Sequence, residues 1–129
     1  MNNIKEQLRQ AKRIVVKIGT NTLSGKDGKI ALSRIYGFIE DLAELKNQGK
    51  EIIIVTSGAI GFGAKKLNMP KPETVELKQA CAAIGQSKLM SIYENGFDAY
   101  GLITAQILLT EDDFSVRTKY LSLRTTLNK

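Results

Sequence analysis

Two short apolar runs, RIVVKI at residues 13–18 and EIIIVT at 51–56, constrain the fold more than anything else in the chain. Both are continuous rather than alternating, the pattern of strands buried on both faces of a parallel sheet. Between them Leu32, Ile35, Tyr36, Ile39 and Leu42 recur at i, i+3, i+4 spacing and predict an amphipathic helix. Ser33 is its expected N-cap and Gly49 its C-terminal stop. A strand, a helix and a second strand form a crossover unit, whose strands run parallel. A third apolar run, GLITAQILLT, predicts another strand over 101–109. Residues 74–100 predict helix interrupted at Gly85, with a buried face of Ala80, Cys81, Ile84, Leu89, Tyr93 and Phe97. Val116, Tyr120, Leu123 and Leu127 predict a last helix, and MNNIKEQLRQAKR a short surface helix ahead of the first strand. The order β-α-β-α-α-β-α places the chain in the α/β class, with helices on both faces of a parallel sheet. The final helix runs to Lys129 with no strand after it, so the sheet is expected to be incomplete at the C-terminus.

Composition narrows the chemistry. There is no histidine and one cysteine, Cys81, in 129 residues. A histidine-based triad and an intrachain disulfide are therefore excluded, and a reducing compartment fits. No apolar run has membrane-spanning length and the N-terminus has no signal-peptide core, so no membrane partner is expected. The net charge of +6 favours anionic partners. Basic residues are dispersed and aromatics are 6 %, so stacking platforms are not expected and small anions fit at least as well as nucleic acid.

Two stretches carry candidate chemistry. Lys17 sits at the C-terminal end of the first strand, where open α/β sheets bind ligands. Gly19 would let a ligand approach the backbone, and Thr20, Asn21 and Thr22 add donors of the kind that hold phosphate. The alternative is a merely solvated lysine, and GTNTLSGKDGK at 19–29 is not a Walker A loop. In IIIVTSGAIGFGAKKL the second strand ends at Ser57 and Gly58 and passes into a helix whose N-terminus can take a carboxylate or phosphate. The alternative is that Ser57 only caps that helix while Gly58, Gly61 and Gly63 allow close packing. Neighbouring parallel strands would bring both ends to one edge of the sheet. Elsewhere, Glu111, Asp112 and Asp113 could hold a metal, but the expected role of an aspartate there is to cap the last helix. Cys81 reads as core, and Lys65, Lys66, Lys71 and Lys78 as a solvated face. ACAAIG at 80–85 suggests close packing, including packing between subunits.

VVKIGTNTLS (15–24), IIIVTSGAIGFGAKKL (52–67), KQACAAIGQSKLM (78–90) and YGLITAQILLTEDDF (100–114) together resemble the glutamate 5-kinase branch of the amino-acid kinase family. The resemblance implies a three-layer αβα sandwich around a mainly parallel sheet, with residues 1–129 as the N-terminal half of the kinase domain. The segment completing the glutamate site, the nucleotide-binding half and an RNA-binding-like PUA domain are expected outside this sequence. The implied reaction is transfer of the ATP γ-phosphate to the γ-carboxylate of L-glutamate, the first step of proline synthesis, with Mg2+ accompanying ATP. Lys17 would be catalytic, contacting the ATP phosphates with Gly19 and Thr20; Ser57, Gly58 and Ala59 would hold glutamate. A cytoplasmic homo-oligomer with proline as feedback inhibitor is also implied. Two other readings are a non-catalytic glutamate- or proline-binding or assembly module of the same family, and an acetylglutamate kinase. SGAIGFGA and KQACAAIGQ argue against the latter. An unpaired sheet edge would be a template for association.

Overall fold

A computed structural model describes residues 2–25 and 29–129. In chain order the elements are α1 (Asn2–Gln10), β1 (Arg13–Ile18), α2 (Thr20–Leu23), α3 (Leu32–Asn47), β2 (Glu51–Thr56), α4 (Ala59–Lys66), α5 (Val75–Asp98), α6 (Asp112–Ser115) and α7 (Arg117–Leu127). β1 and β2 pair in parallel from Arg13 opposite Glu51 to Ile18 opposite Thr56, so both strands end level with each other. The chain is α/β with a parallel sheet, as the crossover pattern requires. The predicted loop at 19–29 contains the single turn α2 and a bridge between Ser24 and Ile30; its residues 26–28 lie outside the described residues.

Strand alternation puts Val16, Ile18, Ile52 and Ile54 on one face, against Ile35, Ile39 and Leu42 of α3 and Leu89, Ile92, Tyr93 and Phe97 of α5. The burial of two faces expected for both strands is not seen. On the other face Val15 and Val55 are 61 % and 48 % exposed, and Lys17 stands exposed between them. An apolar run records a capacity for burial; whether a second layer covers it depends on which helices pack there.

α3 starts at Leu32 with Ala31 as N-cap, so Ser33 lies inside the helix rather than capping it. Leu32 and Tyr36 turn outward, each 45 % exposed, and Ala43 joins the buried stripe. Gly49 ends the helix as expected: at φ +85° its N–H donates to the Lys46 carbonyl and that of Lys50 to the Leu45 carbonyl. This is the paired closure that a left-handed residue permits.

α5 is continuous, with no break at Gly85, and Thr74 caps it by accepting the Leu77 N–H at 3.3 Å. Its buried face includes Cys81, Gly85 and Gly96, whereas Ala80 is exposed. Gly85 belongs to a helix crossing instead. A Cβ on Gly85 would overlap the Ala59 carbonyl of α4, and one on Gly63 the Cys81 carbonyl of α5. Within ACAAIG, Cys81 and Gly85 therefore serve contact within the chain, while Ala80 and Ala83 are exposed. The eight residues 67–74, with Pro70 and Pro72, join α4 to α5.

The third expected strand does not form. Residues 102–110 have no ladder partner among the described residues, and Ile103 and Leu108 are 101 % and 72 % exposed. β-propensity supplies an extended shape, but a strand exists only when its backbone groups find a neighbour. After Leu102, which packs on the core, the chain runs largely exposed into α6 and α7, which bury no residue, and Arg13 of β1 donates to the Asn128 side-chain carbonyl at 2.8 Å just past the end of α7. Val116, not an aspartate, is the N-cap of α7, without a side-chain cap bond. Asp113 instead accepts the Thr110 N–H at 2.6 Å and the Thr110 hydroxyl at 2.8 Å.

Those Thr110 bonds, with Lys119 adding charge attraction, hold the Asp113 carboxyl below its ordinary value of 3.8. A depressed folded-state value means the turn's stabilisation is complete above the ordinary value and is lost as pH falls through the folded one. The protection of the Thr110 amide against hydrogen exchange, taken relative to its intrinsic rate at each pH, should therefore fall on acidification. Asp113→Asn should remove that pH dependence; an unchanged profile would refute the assignment.

Among the described residues no helix is long and apolar enough to cross a membrane.

Candidate functional site

The level ends of β1 and β2 pass straight into two turns. After Ile18 the chain runs through Gly19 into α2; after Thr56 it runs through Ser57 and Gly58 into α4. The Ser57 N–H donates to the Ile18 carbonyl at 3.2 Å, extending the strand pairing by one residue. The Thr20 and Ser57 hydroxyl oxygens lie 3.2 Å apart. The structure thus brings together two residues from separate motifs at one edge of the sheet.

Ser57 does not cap α4. Gly58 is the N-cap, in the left-handed region at φ +111°, with no side-chain cap bond. That φ strains any side chain, and a Cβ there would also meet Leu23 Cδ1 at 3.2 Å. With Ser57 bonded to Thr20, the first N–H groups of α4, Ala59 included, have no partner inside the helix. Gly19 differs. Its φ is −82° and a Cβ would meet nothing within 4 Å, so neither strain nor packing demands glycine. The space beside its backbone is open.

Lys17 projects from the open face, one residue before the strand end and opposite Val55. It makes no ion pair among the described residues. Its long stem leaves the ammonium free to swing toward the edge, as a mobile point charge. The loop beyond α2 is pinned from α3: Arg34 donates to the Thr22 and Ser24 carbonyls at 3.1 and 3.4 Å, and the Ala31 N–H to the Leu23 carbonyl at 3.0 Å.

One contributor is not evident from the motifs. Tyr93 of α5 is 4 % exposed, and its phenol lies 3.2 Å from the Thr56 hydroxyl, directly beneath the Ser57–Gly58 turn. Burial raises its pKa above the ordinary 10.0, against a smaller opposing effect of the Thr56 bond. The sequence signal was a tyrosine at a core position, which needs a polar partner.

No group of three or more His, Cys, Asp or Glu gathers among the described residues, so these residues offer no carboxylate cage for a divalent ion. Glu111, Asp112 and Asp113 do not converge on a site; Asp112 lies 3.5 Å from Lys119 and Asp113 serves Thr110. Cys81 is fully buried in the core, and Lys65, Lys66, Lys71 and Lys78 are exposed.

A model of the amino acid kinase family matches residues 12–129. The chain is 51 % identical over 117 residues to glutamate 5-kinase of Thermoanaerobacter sp. (strain X514), covering 90 % of this chain and 32 % of that protein. It is 52 % identical over 117 residues to the glutamate 5-kinase of Caldanaerobacter subterraneus subsp. tengcongensis, with the same coverages. Against that of Geobacter sp. (strain M21) it is 46 % identical over 125 residues, covering 96 % of this chain and 34 % of the relative. The chain spans about a third of the length of these relatives. A match over nearly every residue, falling on the strand ends and turns described above, means that the chain belongs to the amino acid kinase family.

Proposed function

We propose that this chain forms the phosphate- and glutamate-facing part of a glutamate 5-kinase, transferring the ATP γ-phosphate to the γ-carboxylate of L-glutamate. The observation that carries the reading is the Thr20–Ser57 contact, which sets the Lys17–Gly19–Thr20 turn beside the Ser57–Gly58–Ala59 turn. A donor phosphate and an acceptor carboxylate can then meet at one edge.

Each residue has a defined task. A carboxylate is already nucleophilic and needs no general base, which suits a chain without histidine. Catalysis is then positioning and charge stabilisation. Lys17 neutralises charge on the transferring phosphoryl group, while the open backbone at Gly19 and the Thr20 hydroxyl seat the phosphates. Ser57 and the amides of Gly58 and Ala59 hold the amino acid's carboxylate. Magnesium, bound with the nucleotide, supplies further neutralisation of phosphate charge. Proline as a feedback ligand and a cytoplasmic setting accompany this reading.

The test is ADP release by the purified chain with Mg-ATP, with and without L-glutamate. Release that depends on glutamate supports the assignment. A preference for N-acetylglutamate would reassign the substrate, and glutamate binding without turnover would favour a non-catalytic module.

The exposed Val15, Val55, Ile103 and Leu108 and the unpaired strand edges point to a homo-oligomer. Sedimentation across a dilution series should show dimers or larger species; a monodisperse monomer throughout would count against association.

A further inference from the structure

Thr56 has one hydroxyl proton, and it faces two neighbours: the Ser57 carbonyl at 3.4 Å and the Tyr93 phenol at 3.2 Å. With that proton on the Ser57 carbonyl, the phenol is the donor to Thr56. Burial keeps the phenol protonated and able to donate. A chain of hydroxyls then runs from α5, through the last residue of β2, to the carbonyl of the Ser57–Gly58 peptide.

A trans peptide is planar, and its C=O and N–H point in opposite directions. Holding the Ser57 carbonyl on one side therefore aims the Gly58 N–H on the other. Gly58, at φ +111°, has a wider choice of conformation than any side-chain-bearing residue, so its peptide needs an external restraint. Thr20 restrains the Ser57 side chain, but no other side chain among the described residues bonds the Ser57 carbonyl.

We infer that Tyr93 is a positioning residue, which acts through Thr56 to orient the Ser57–Gly58 peptide so that its N–H is presented to the acceptor's carboxylate. The inference rests on the glutamate reading of that turn only for the identity of the ligand; the orientation itself is a property of the free protein.

The test uses the whole chain, isotopically labelled. Tyr93→Phe keeps the ring and its packing while deleting the donor. It should shift the Ser57 carbonyl 13C and Gly58 amide resonances, leave those of Gly49 in place, and weaken L-glutamate binding about three- to ten-fold, the span of one lost hydrogen bond. Thr56→Val should do the same, and Thr56→Ser should restore both readouts. A lowered melting midpoint with unmoved Ser57 and Gly58 resonances would overturn the proposal, because a merely structural phenol behaves that way. If the wild-type Gly58 and Ala59 amides ignore L-glutamate while Tyr93→Phe still shifts the resonances, the glutamate reading fails and the positioning role is supported.

Discussion

Replacing Lys17 with alanine should cut glutamate-dependent ADP release about 10²–10³-fold, the loss typical of removing one preorganised charge-stabilising group. The melting midpoint should hardly move. Lys17 is exposed, stands on the open face of β1 and makes no ion pair among the described residues, so its removal leaves no buried partner unsatisfied. The comparison needs an assembly of the chain that turns over, with rate and thermal melt measured on the same preparations. Lys17→Arg should recover only part of the rate, because a planar fork does not place its charge as an ammonium does. Normal turnover in Lys17→Ala would take the lysine out of the phosphate site and leave its position at the strand end without a function.

Gly85→Ala should destabilise the fold by about 3 kcal/mol or more and lower the midpoint by roughly 10 °C or more. The sign discriminates between two explanations. In an ordinary helix interior, alanine is more favourable than glycine by about 1 kcal/mol. Here the added methyl overlaps the Ala59 carbonyl, a backbone atom at the start of α4 that cannot swing aside. Gly63→Ala should behave alike, since its methyl overlaps the Cys81 carbonyl across the same crossing. Circular dichroism melts of the two variants check this, and stabilisation in either would show that the helices do not approach so closely. Because Ala59 follows Gly58, Gly85→Ala should also disturb the candidate glutamate turn.

Both experiments probe places where one-dimensional reading reached different depths. Residues 13–18 and 51–56 were legible as strands to the residue because the two apolar runs pair with each other, and Gly49 as a helix stop because local turn chemistry decides it. The family motifs pointed to Lys17, Gly19, Thr20, Ser57, Gly58 and Ala59, and the two turns do lie at one edge. A cap was one of the two roles open to Ser57, yet its hydroxyl turned to Thr20, since a partner from the turn after β1 competes with the local amide. Gly85 read as a break because propensity is local, whereas its reason is α4, distant in sequence. The run 101–109 read as a strand because its apolar content matches one, but it found no neighbour.

The sequence by itself determined the α/β order, the parallel pairing implied by a helical crossover, and the residue types at the two strand ends. Each follows from periodicity, turn chemistry or a motif, all of which act over a few residues. Only the tertiary structure decided which face of the sheet is covered, that Gly63 and Gly85 meet across a crossing, and that Tyr93 reaches the turn through Thr56. Those outcomes depend on contacts between residues far apart in the chain, where packing volume and hydrogen-bond competition, rather than local preference, select the partner.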